Sequence, residues 1–444
     1  MKVLLVGNGA REHAIAKVIR KSGDEYELYT FMSKKNPGIA KISADYAIGD
    51  ICDPKAVADW AKSKNIDIAI VGPEAPLGAG VVDALLKEGI KCASPTKTAA
   101  RLETDKAFCR ELLKKYNVDG QPIFKILSTP EEIDEFVDSL TMEVAVKPAG
   151  LTGGKGVKIE GEHLNSKEEV KAYAKEILAD SIGEIPRVVI EEKLEGEEFT
   201  LMAFVSDDEI FPMPMVQDHK RAYEGDCGPN TGGMGSYTDA GYILPFLSEE
   251  DYKFGLEMIK ETARALKEET GESYRGVIYC QLIVTRSGPK LIEYNARFGD
   301  PEAMNVLSLF EGDFVKVMEA IAQGGSLEDV PAKFLPEATV CKYLVPTGYP
   351  NDPEKDVEIR VDEEAIKEMG ADVFYAAVYE KDGKIFTTGS RAVAVIGRRK
   401  DIINAEKIAE KATKFIKGPL VHRKDIGKED LIQKRFKHME CIRD

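Results

Sequence analysis

The chain has 444 residues, of which 43% are apolar and 31% charged, and its formal net charge is −16. This length predicts several domains of roughly 100 to 200 residues each. The charge argues against a nucleic-acid groove, which needs a concentrated positive surface, and no stretch approaches the ~20 apolar residues of a membrane span. Seven cysteines without a CxxC pair disfavour a zinc knuckle or a disulfide framework. We therefore expect a cytoplasmic protein with neither nucleic-acid nor membrane partners.

Strand and helix patterns alternate over residues 1–101. The apolar run "KVLLV" is followed by the helical spacing of "AREHAIAKVIRKSG", and the alternation continues through "YELYTFM", "AVADWAKSK", "IDIAIVG", "GVVDALLKEG" and "IKCASP". Alternation of this kind predicts an α/β domain with a parallel sheet covered by helices.

The pattern changes after residue 101. A helix at "DKAFCRELLKKYN", short strands at "EVAVKPAG", "RVVIEEKL" and "FTLMAFVS", a long helix and two strands at "GVIYCQLIVTR" and "PKLIEYNA" predict an α+β domain over residues 102–330. Residues 331–444 contain strands, a hairpin at "YEKDGKIF" and one amphipathic helix at "AEKIAEKATKFI". They predict a small mixed α/β domain.

Two loops follow strands of the first domain. "VGNGAREHA" places Gly9 between strand and helix, where backbone amides attract an anion. The third glycine position of a dinucleotide motif is Glu12, and the second strand ends without an acid, so a nicotinamide or flavin dehydrogenase is disfavoured. A structural turn and an anion site helped by Arg11 both remain open. In "VGPEAPLGAG", Glu74 is either a solvated acid or a ligand contact.

A loop rich in glycine and lysine follows the strand that carries Lys147. In "VAVKPAGLTGGKGV", the glycines Gly153, Gly154 and Gly156 surround Lys155, so that backbone amides and an ammonium group can meet phosphate oxygens. The loop lacks the hydroxyl residue of a Walker A motif. An ordinary hairpin is the alternative interpretation.

An acidic stretch follows a second apolar strand at "VVIEEKLEGEEFT". The acids come directly after a strand of the buried type, so Glu191 or Glu192 with Leu194 is a candidate contact to an adenine edge. Glu198 is a candidate for a ribose diol. The alternative is a solvated acidic face.

"PKLIEYNARFGDPE" carries the sharpest signal. Residues two apart on a strand point to the same side, so Glu293 and Asn295 share a face and offer the oxygen ligands that Mg²⁺ prefers. A hairpin centred on Ser287 predicts that Gln281 lies opposite Glu293. The alternative is that Glu293 merely ends a strand.

"GPNTGGMG" is either a linker or a loop whose backbone approaches a charged small molecule. The preceding "QDHKR" adds an acid and two cations, and the metal strand follows later in the chain. We therefore interpret this stretch as a substrate loop. Its candidate residues are Asp218, Lys220, Asn230, Thr231, Gly232 and Gly233.

The Gly/Lys loop, the acidic strand and the Glu-x-Asn strand together resemble the ATP-grasp ligases. "GNGAREHA", "VGPEAP", "QDHKR", "GPNTGGMG" and "RFGDPE" are similar, in this order, to the family that joins glycine to 5-phosphoribosylamine in purine biosynthesis. The resemblance implies a Rossmann-like N-terminal domain, a central ATP-grasp domain with a mobile lid at about residues 123–192, and a small C-terminal domain. It also implies that ATP phosphorylates glycine and that the amine then displaces phosphate.

In such chemistry the protein supplies positioning and charge neutralisation. We assign Lys106, Lys147 and Lys155 to the phosphates of ATP, and Gln281, Glu293 and Asn295 to Mg²⁺ or Mn²⁺. Arg297, Lys155 and Asp218 are the expected catalytic groups, and Gly9, Arg11, Glu74, Lys220 and Asp300 join the substrate set. We expect a monomer or weak homodimer. Another carboxylate–amine ligase and a nucleotide-binding regulator without chemistry are the rival hypotheses.

Overall fold

The computed structural model describes residues 1–153 and 156–443. The N-terminal sheet consists of β1 (Lys2–Val6), β2 (Glu27–Met32), β3 (Asp45–Ile48), β4 (Ile68–Val71) and β5 (Lys91–Cys92). Its helices are α1 (Ala10–Ser22), α2 (Pro37–Ile42), α3 (Pro54–Ser63), α4 (Glu74–Ala79) and α5 (Val81–Lys87).

All pairs of strands in this sheet are parallel, in the order β3-β2-β1-β4-β5, as the alternation predicted. The residues of β1 from Val3 to Val6 are fully buried, as expected for a strand covered on both faces. Because β1 and β4 are neighbours, the loops that follow them open at the same edge of the sheet. The turn at Gly9 and the start of α4 at Glu74 therefore lie side by side.

A second unit has its own hydrophobic core. Two helices lead into it, α6 (Arg101–Thr104) and α7 (Lys106–Lys115). Its elements are β6 (Phe124–Leu127), α8 (Pro130–Ser139), β7 (Val144–Pro148), β8 (Lys158–Ile159), α9 (Lys167–Ala179) and β9 (Val188–Glu192). The strands pair antiparallel in the order β6-β9-β7-β8, and the helices cover them through a cluster that includes Ile133, Val146 and Ile177.

The central sheet has the order β11-β10-β16-β17. Its strands are β10 (Glu197–Ser206), β11 (Glu209–Pro212), β16 (Arg275–Thr285) and β17 (Gly288–Asn295). The segment between β11 and β16 forms β12 (Gln217–Asp218), β13 (Arg221–Tyr223), β14 (Cys227–Asn230), β15 (Gly235–Thr238) and α10 (Glu249–Thr270). After β17 come α11 (Glu302–Leu309), β18 (Phe310–Gly312), α12 (Phe314–Gln323) and β19 (Ala332–Phe334).

A β-bulge in β17 sets the register of the metal-candidate residues. Thr285 pairs with Gly288, so the turn is centred slightly before Ser287, and Ile292 is left without a partner on β16. Beyond this bulge Gln281 pairs with Glu293. The predicted pairing is therefore confirmed, although it depends on the bulge and not on a regular hairpin.

Residues 217–238 form a β-hairpin, which we call the arm. β12 pairs with β15, and β13 pairs with β14. Thr231 donates from its backbone nitrogen to the carbonyl of Lys220 at 2.8 Å, and His219 donates to the carbonyl of Gly235 at 3.0 Å. "GPNTGGMG" is thus a hydrogen-bonded strand segment and not a linker.

The C-terminal residues add β20 (Ala338–Pro346), β21 (Glu358–Val361), α13 (Glu363–Glu368), β22 (Ala371–Tyr375), β23 (Val378–Lys381), β24 (Lys384–Thr387), β25 (Val393–Arg399), α14 (Ile402–Thr413), β26 (Ile416–Lys417), β27 (Leu420–Val421) and α15 (Glu429–Arg443). The largest sheet here has the order β12-β15-β20-β25-β22, so the arm pairs directly with C-terminal strands. No helix within residues 1–153 and 156–443 is long and apolar enough to cross a membrane.

One prediction for the C-terminal residues is confirmed and another is wrong. The predicted hairpin is confirmed, since Lys381 pairs with Lys384 around Asp382 and Gly383, both with positive φ. The prediction of one helix is wrong, because α13 and α15 accompany α14. In α15, the few buried residues Leu431, Ile432 and Met439 are scattered among charged ones, so the sequence lacks a clear apolar stripe.

Gly235 is a testable point of this architecture. Its φ is +149°, and a Cβ would lie 2.3 Å from the carbonyl oxygen of Cys341 on the paired strand. We expect Gly235→Ala to lower the free energy of unfolding by about 2–3 kcal/mol in urea denaturation. Gly241→Ala is the matched control, because no atom lies within 4 Å of its added Cβ. Equal stability of the two variants would contradict this account of the arm.

Candidate functional site

Arg297 joins three separate parts of the chain. Its guanidinium donates to Glu74 of α4 at 3.2 Å and to Oδ1 of Asn295 at 2.9 Å, and it lies 2.8 Å from Glu103 of α6. Glu103 is buried and also accepts from the backbone nitrogen of Ala296 at 2.7 Å. The predicted substrate residue Glu74 and the predicted metal residue Asn295 are therefore brought together by one side chain.

The turn at Gly9 lies close to the same contacts, which we call the Arg297 junction: Arg297 with Glu74, Glu103 and Asn295. The backbone nitrogen of Gly9 donates to Glu12 at 2.6 Å, and a Cβ at Gly72 would lie 2.2 Å from the Glu12 carboxylate. Glu12 thus fills the space that the third glycine of a dinucleotide motif leaves open. Arg11 binds Glu12 at 2.6 Å and the carbonyl of Phe298 at 3.2 Å, and it lies 3.9 Å from Glu74.

The charges of this junction are strongly coupled. Burial raises the pKa of Glu74, but the guanidinium groups of Arg297 and Arg11 outweigh it and lower that pKa to about 2. Burial likewise raises the pKa of Glu103, here to about 7 against the attraction of Arg297. Glu74 is therefore ionised at neutral pH, and its charge is shared by two arginines.

Glu293 lies at the centre of a cationic group. Burial raises the pKa of its carboxyl, but Lys106, Lys220, Lys147 and Arg297 together lower it below the usual value. Three of these cations also have acidic partners of their own, since Lys147 pairs with Glu191, Lys220 with Glu198, and Arg297 with Glu74 and Glu103. The place is thus a network of paired charges, and its affinity for an anionic ligand stays a prediction.

Glu198, Lys220 and Gln281 form one wall of this place. Glu198 accepts from the Lys220 ammonium at 2.9 Å and from the Gln281 amide at 2.9 Å. Burial lowers the pKa of Lys220, but Glu198 and Asp218 outweigh it and raise that pKa. Burial raises the pKa of Asp218. The predicted ribose residue Glu198 thus meets the predicted substrate residue Lys220.

Two further lysines, Lys147 and Lys106, lie near Glu293. Lys147 of β7 bonds the carbonyl of Ile292 at 3.2 Å and lies 2.6 Å from Glu191. Lys106 bonds the carbonyl of Gly150 at 3.2 Å, and burial lowers its pKa while Glu293 raises it. The unpaired residue of the bulge therefore turns its carbonyl toward the cations.

Glu191 and Glu192 are already engaged. Glu191 is buried and binds Arg110 at 2.6 Å and 3.1 Å as well as Lys147. Glu192 accepts from the backbone nitrogen of Ile123 at 2.8 Å. Leu194 is partly exposed in the loop between β9 and β10. The proposed contact between this stretch and adenine stays a prediction. In the structure, the Glu191 carboxylate is already paired with Arg110 and Lys147.

The Gly/Lys loop is described only in part, since Gly154 and Lys155 lie outside the described residues. Gly153 has a φ of +59°, a conformation that side chains rarely adopt. Gly156 donates its backbone nitrogen to Thr152 at 3.2 Å, and its carbonyl accepts from Tyr173 at 2.7 Å. The predicted phosphate role of Lys155 remains a prediction.

The substrate-loop glycines pack against "RFGDPE" through Arg391. This guanidinium donates to the carbonyls of Gly232 at 2.6 Å, Gly233 at 3.2 Å and Asp300 at 2.9 Å. The Tyr343 hydroxyl donates to Asp300 at 2.5 Å. These glycines thus have a packing role. Of the other two loop candidates, Asn230 is exposed and the Thr231 hydroxyl donates to the carbonyl of Lys220 at 2.8 Å.

The donor set fits a divalent cation. Glu293 offers an ionised carboxylate and Asn295 an amide oxygen on the same face of β17. The amide of Gln281, on the paired residue of β16, is engaged on both sides, since it accepts from the Tyr279 hydroxyl and donates to Glu198. Oxygen donors of this kind suit Mg²⁺ and Mn²⁺. No cluster of three His, Cys, Asp or Glu residues with metal-binding spacing occurs among residues 1–153 and 156–443.

Sequence reasoning missed three groups that hold this site together, namely Glu103, Tyr343 and Arg391. Glu103 sits in "ARLETDK" and Arg391 in "GSRAV", neither of which carries a recognisable motif. Their contacts join residues that are distant along the chain, so only the fold reveals them.

The central sheet, the β6–β9 unit and the cation-rich place between them are those of an ATP-grasp enzyme. Family models for phosphoribosylglycinamide synthetase match residues 1–103 as its N domain, 104–303 as its ATP-grasp (A) domain and 339–429 as its C domain. The chain therefore belongs to the phosphoribosylglycinamide synthetase family of ligases.

Similar proteins agree with this assignment. The phosphoribosylamine–glycine ligases of Methanosarcina barkeri and Methanocaldococcus jannaschii are each 52% identical, over 444 and 447 residues, and each comparison covers 100% of both chains. The crystal structure of the phosphoribosylamine–glycine ligase of Thermotoga maritima has a TM-score of 0.80 at 30% identity, and covers 96% of this chain and 100% of that one.

Glu302 makes the electrostatics of the site testable. This buried carboxyl accepts from Tyr279 at 2.9 Å and Thr200 at 3.3 Å, and burial together with Asp218 raises its pKa to about 7. A pKa above the unfolded value of ~4.3 means that the neutral form stabilises the fold at low pH. This contribution is lost as the pH rises toward the folded pKa.

We therefore expect the stability of Glu302→Gln relative to wild type to rise by about 2 kcal/mol between about pH 5 and about pH 8. Urea unfolding at both pH values measures it. The exposed Glu135→Gln is the control, for which no such change is expected. A pH-independent difference between Glu302→Gln and wild type would contradict the assignment.

Proposed function

We propose that this chain catalyses the ATP-dependent ligation of glycine to 5-phosphoribosylamine, through glycyl phosphate, in the cytoplasm. The products are glycinamide ribonucleotide, ADP and phosphate. The observation that carries the proposal is the Arg297 junction, in which the loop of Glu74 meets the Glu-x-Asn strand within 3.2 Å of one guanidinium. A two-substrate reaction needs such a meeting point.

ATP binding is assigned to the groups between the central sheet and the β6–β9 unit. Lys106, Lys147 and Lys155 are assigned to the phosphates, and Glu191, Glu192, Leu194 and Glu198 are assigned to the nucleoside. Glu293, Asn295 and Gln281 hold Mg²⁺ or Mn²⁺. The metal neutralises phosphate charge when bound.

In the first step an oxygen of the glycine carboxylate attacks the γ-phosphorus, and the bond from this phosphorus to the β-γ bridging oxygen breaks. ADP leaves with the electron pair. The transferring phosphoryl group carries negative charge on its outer oxygens. Arg297 faces this group, and Glu74, Glu103 and Asn295 hold its guanidinium in a fixed orientation before the reaction begins. Asp218 holds the ammonium group of glycine.

In the second step the amine of phosphoribosylamine attacks the acyl carbon. The carbon–oxygen bond to phosphate breaks, the phosphate leaves with that electron pair, and the nitrogen loses a proton. Arg11, Gly9 and Glu74 bind the phosphoribosyl group, and Asp300 with the arm borders the acyl phosphate. Because an acyl phosphate hydrolyses in water, the β6–β9 unit acts as a lid.

The domain division that we propose is residues 1–101, 102–330 with the lid at about 123–192, and 331–444. The family-model matches at 1–103, 104–303 and 339–429 support these limits. We propose a monomer or weak homodimer.

The function is tested by coupled ADP release with Mg²⁺, ATP, glycine and freshly made phosphoribosylamine, each omitted in turn. We expect ADP only in the complete mixture or, without the amine, as a slow release that still requires glycine. Glu293→Ala should abolish glycine-dependent ADP formation, since it removes the ionised metal ligand. ADP release that is independent of glycine would refute the proposal.

Arg297→Ala tests the phosphoryl contact. We expect its kcat to fall by the equivalent of about 2–4 kcal/mol, as for the loss of one preorganised donor to a transition state. Arg297→Lys, which keeps charge but not the fork of donors, should recover part of this loss. The exposed Arg398→Ala, which loses an ion pair with Glu337, is the control. A wild-type kcat for Arg297→Ala would disprove the role.

A further inference from the structure

We propose that Arg435, on the last helix α15, is a positioning residue that holds Glu198 and Asp218 in place from behind the site. The inference rests on the proposed function, because it concerns the wall assigned to glycine and ATP. The helix begins at Glu429, where the match to the C-domain family model ends. The role of α15 is therefore inferred from the contacts that its residues make.

Arg435 makes two ion pairs with the central part of the chain. Its guanidinium lies 3.3 Å from Glu197 of β10 and also contacts Asp226 at the tip of the arm. One turn further along the helix, His438 lies 2.6 Å from Glu197. Glu197 is buried, so these contacts are shielded from solvent.

Strand geometry links these contacts to the site. Successive residues of a strand point to opposite faces, so Glu197 faces α15 while Glu198 faces Lys220 and Gln281. The amide of Gln217 lies 3.4 Å from the Glu197 carboxylate and donates to the carbonyl of Glu198 at 3.1 Å. Gln217 directly precedes Asp218. The contact with α15 thus fixes the two strands that present both site carboxylates.

The arm is fixed at its tip in the same way. Asp226 lies 2.9 Å from Arg423, which is 1% exposed and donates to the carbonyl of Arg221 at 3.1 Å. Arg221 follows Lys220. Arg435 and Arg423 together therefore hold the segment that carries Lys220 against the C-terminal part of the chain.

His219 lies inside this group and carries no charge. Burial, with Arg435 and Arg423, lowers its pKa to about 3, so it is neutral at physiological pH. Neither ring nitrogen has a hydrogen-bond partner within the described part of the chain. Glu197 and Asp226 are the anions that pair with Arg435, and without it Glu197 keeps its contact with His438 and Asp226 its ion pair with Arg423. The loss of Arg435 therefore removes the one cation that joins the two carboxylates.

Two of the lysines assigned to the ATP phosphates, Lys106 on α7 and Lys147 on β7, are far from α15 in the chain and bond the carbonyls of Gly150 and Ile292 instead. A shift of β10 and β12 of a fraction of an ångström affects glycine and its attack more than the binding of the phosphates. Small misplacements at a reacting centre reduce turnover strongly.

The test compares Arg435→Gln with Arg443→Gln. Arg443 lies on the same helix and pairs at 3.0 Å with Asp251 of α10, so it matches Arg435 in element and interaction type without touching Glu197. For each variant we measure kcat, KM for glycine, KM for ATP and the melting temperature. We expect Arg435→Gln to lose about tenfold to a hundredfold in kcat/KM for glycine, because Asp218 shifts, and to raise KM for ATP as well, because Glu198 is assigned to the nucleoside.

Arg443→Gln should keep wild-type kinetics, and Arg435→Lys should recover part of the activity. Glu197→Gln, which keeps the shape of the side chain, should reproduce the kinetic pattern of Arg435→Gln if the latter folds poorly. Equal kinetic losses in the Arg435 and Arg443 variants, or a loss that follows melting temperature alone, would overturn the inference. Wild-type protein without glycine-dependent ADP release would instead refute the proposed function.

Discussion

The site depends on one shared guanidinium group. Arg297 binds Glu74 from the N-terminal sheet, Glu103 from the helix that follows that sheet, and Asn295 from the central sheet. A planar group with several fixed donors can satisfy three acceptors at once, which an ammonium group does less well. The N-terminal and central parts of the chain therefore meet in a defined geometry at the point where the proposed chemistry occurs.

Buried charges elsewhere follow the same rule. Glu191 lies between Arg110 and Lys147, and the fully buried Lys342 lies between Glu406 and Glu410. An isolated buried charge is costly, whereas one shared among opposite charges and hydrogen bonds is tolerated. Around Glu293 the charges form a larger network, because Lys147, Lys220 and Arg297 lower the pKa of its carboxyl while each also pairs with another glutamate.

Much of the fold and part of the site were predictable from local patterns. The parallel sheet followed from alternating strand and helix signals, whereas the pairing of Gln281 with Glu293 was predicted from a regular hairpin centred on Ser287 and is reached through the bulge instead. Helix α15 and Arg391 were not predictable. Their positions result from ion pairs and carbonyl contacts with residues far away in sequence, and such contacts leave no periodic trace. The bulge at Ile292 escaped prediction for a similar reason.

That bulge also separates two parts of a single hairpin. The turn around Ser287 and the pair formed by Gln281 and Glu293 lie on opposite sides of an unpaired residue, so each side has its own register. An extra residue can be absorbed where a strand already bends. Changes in the exposed turn need not propagate to the metal-candidate residues, which leaves the turn free to vary in evolution while the strand ends that carry Glu293 and Asn295 stay in alignment.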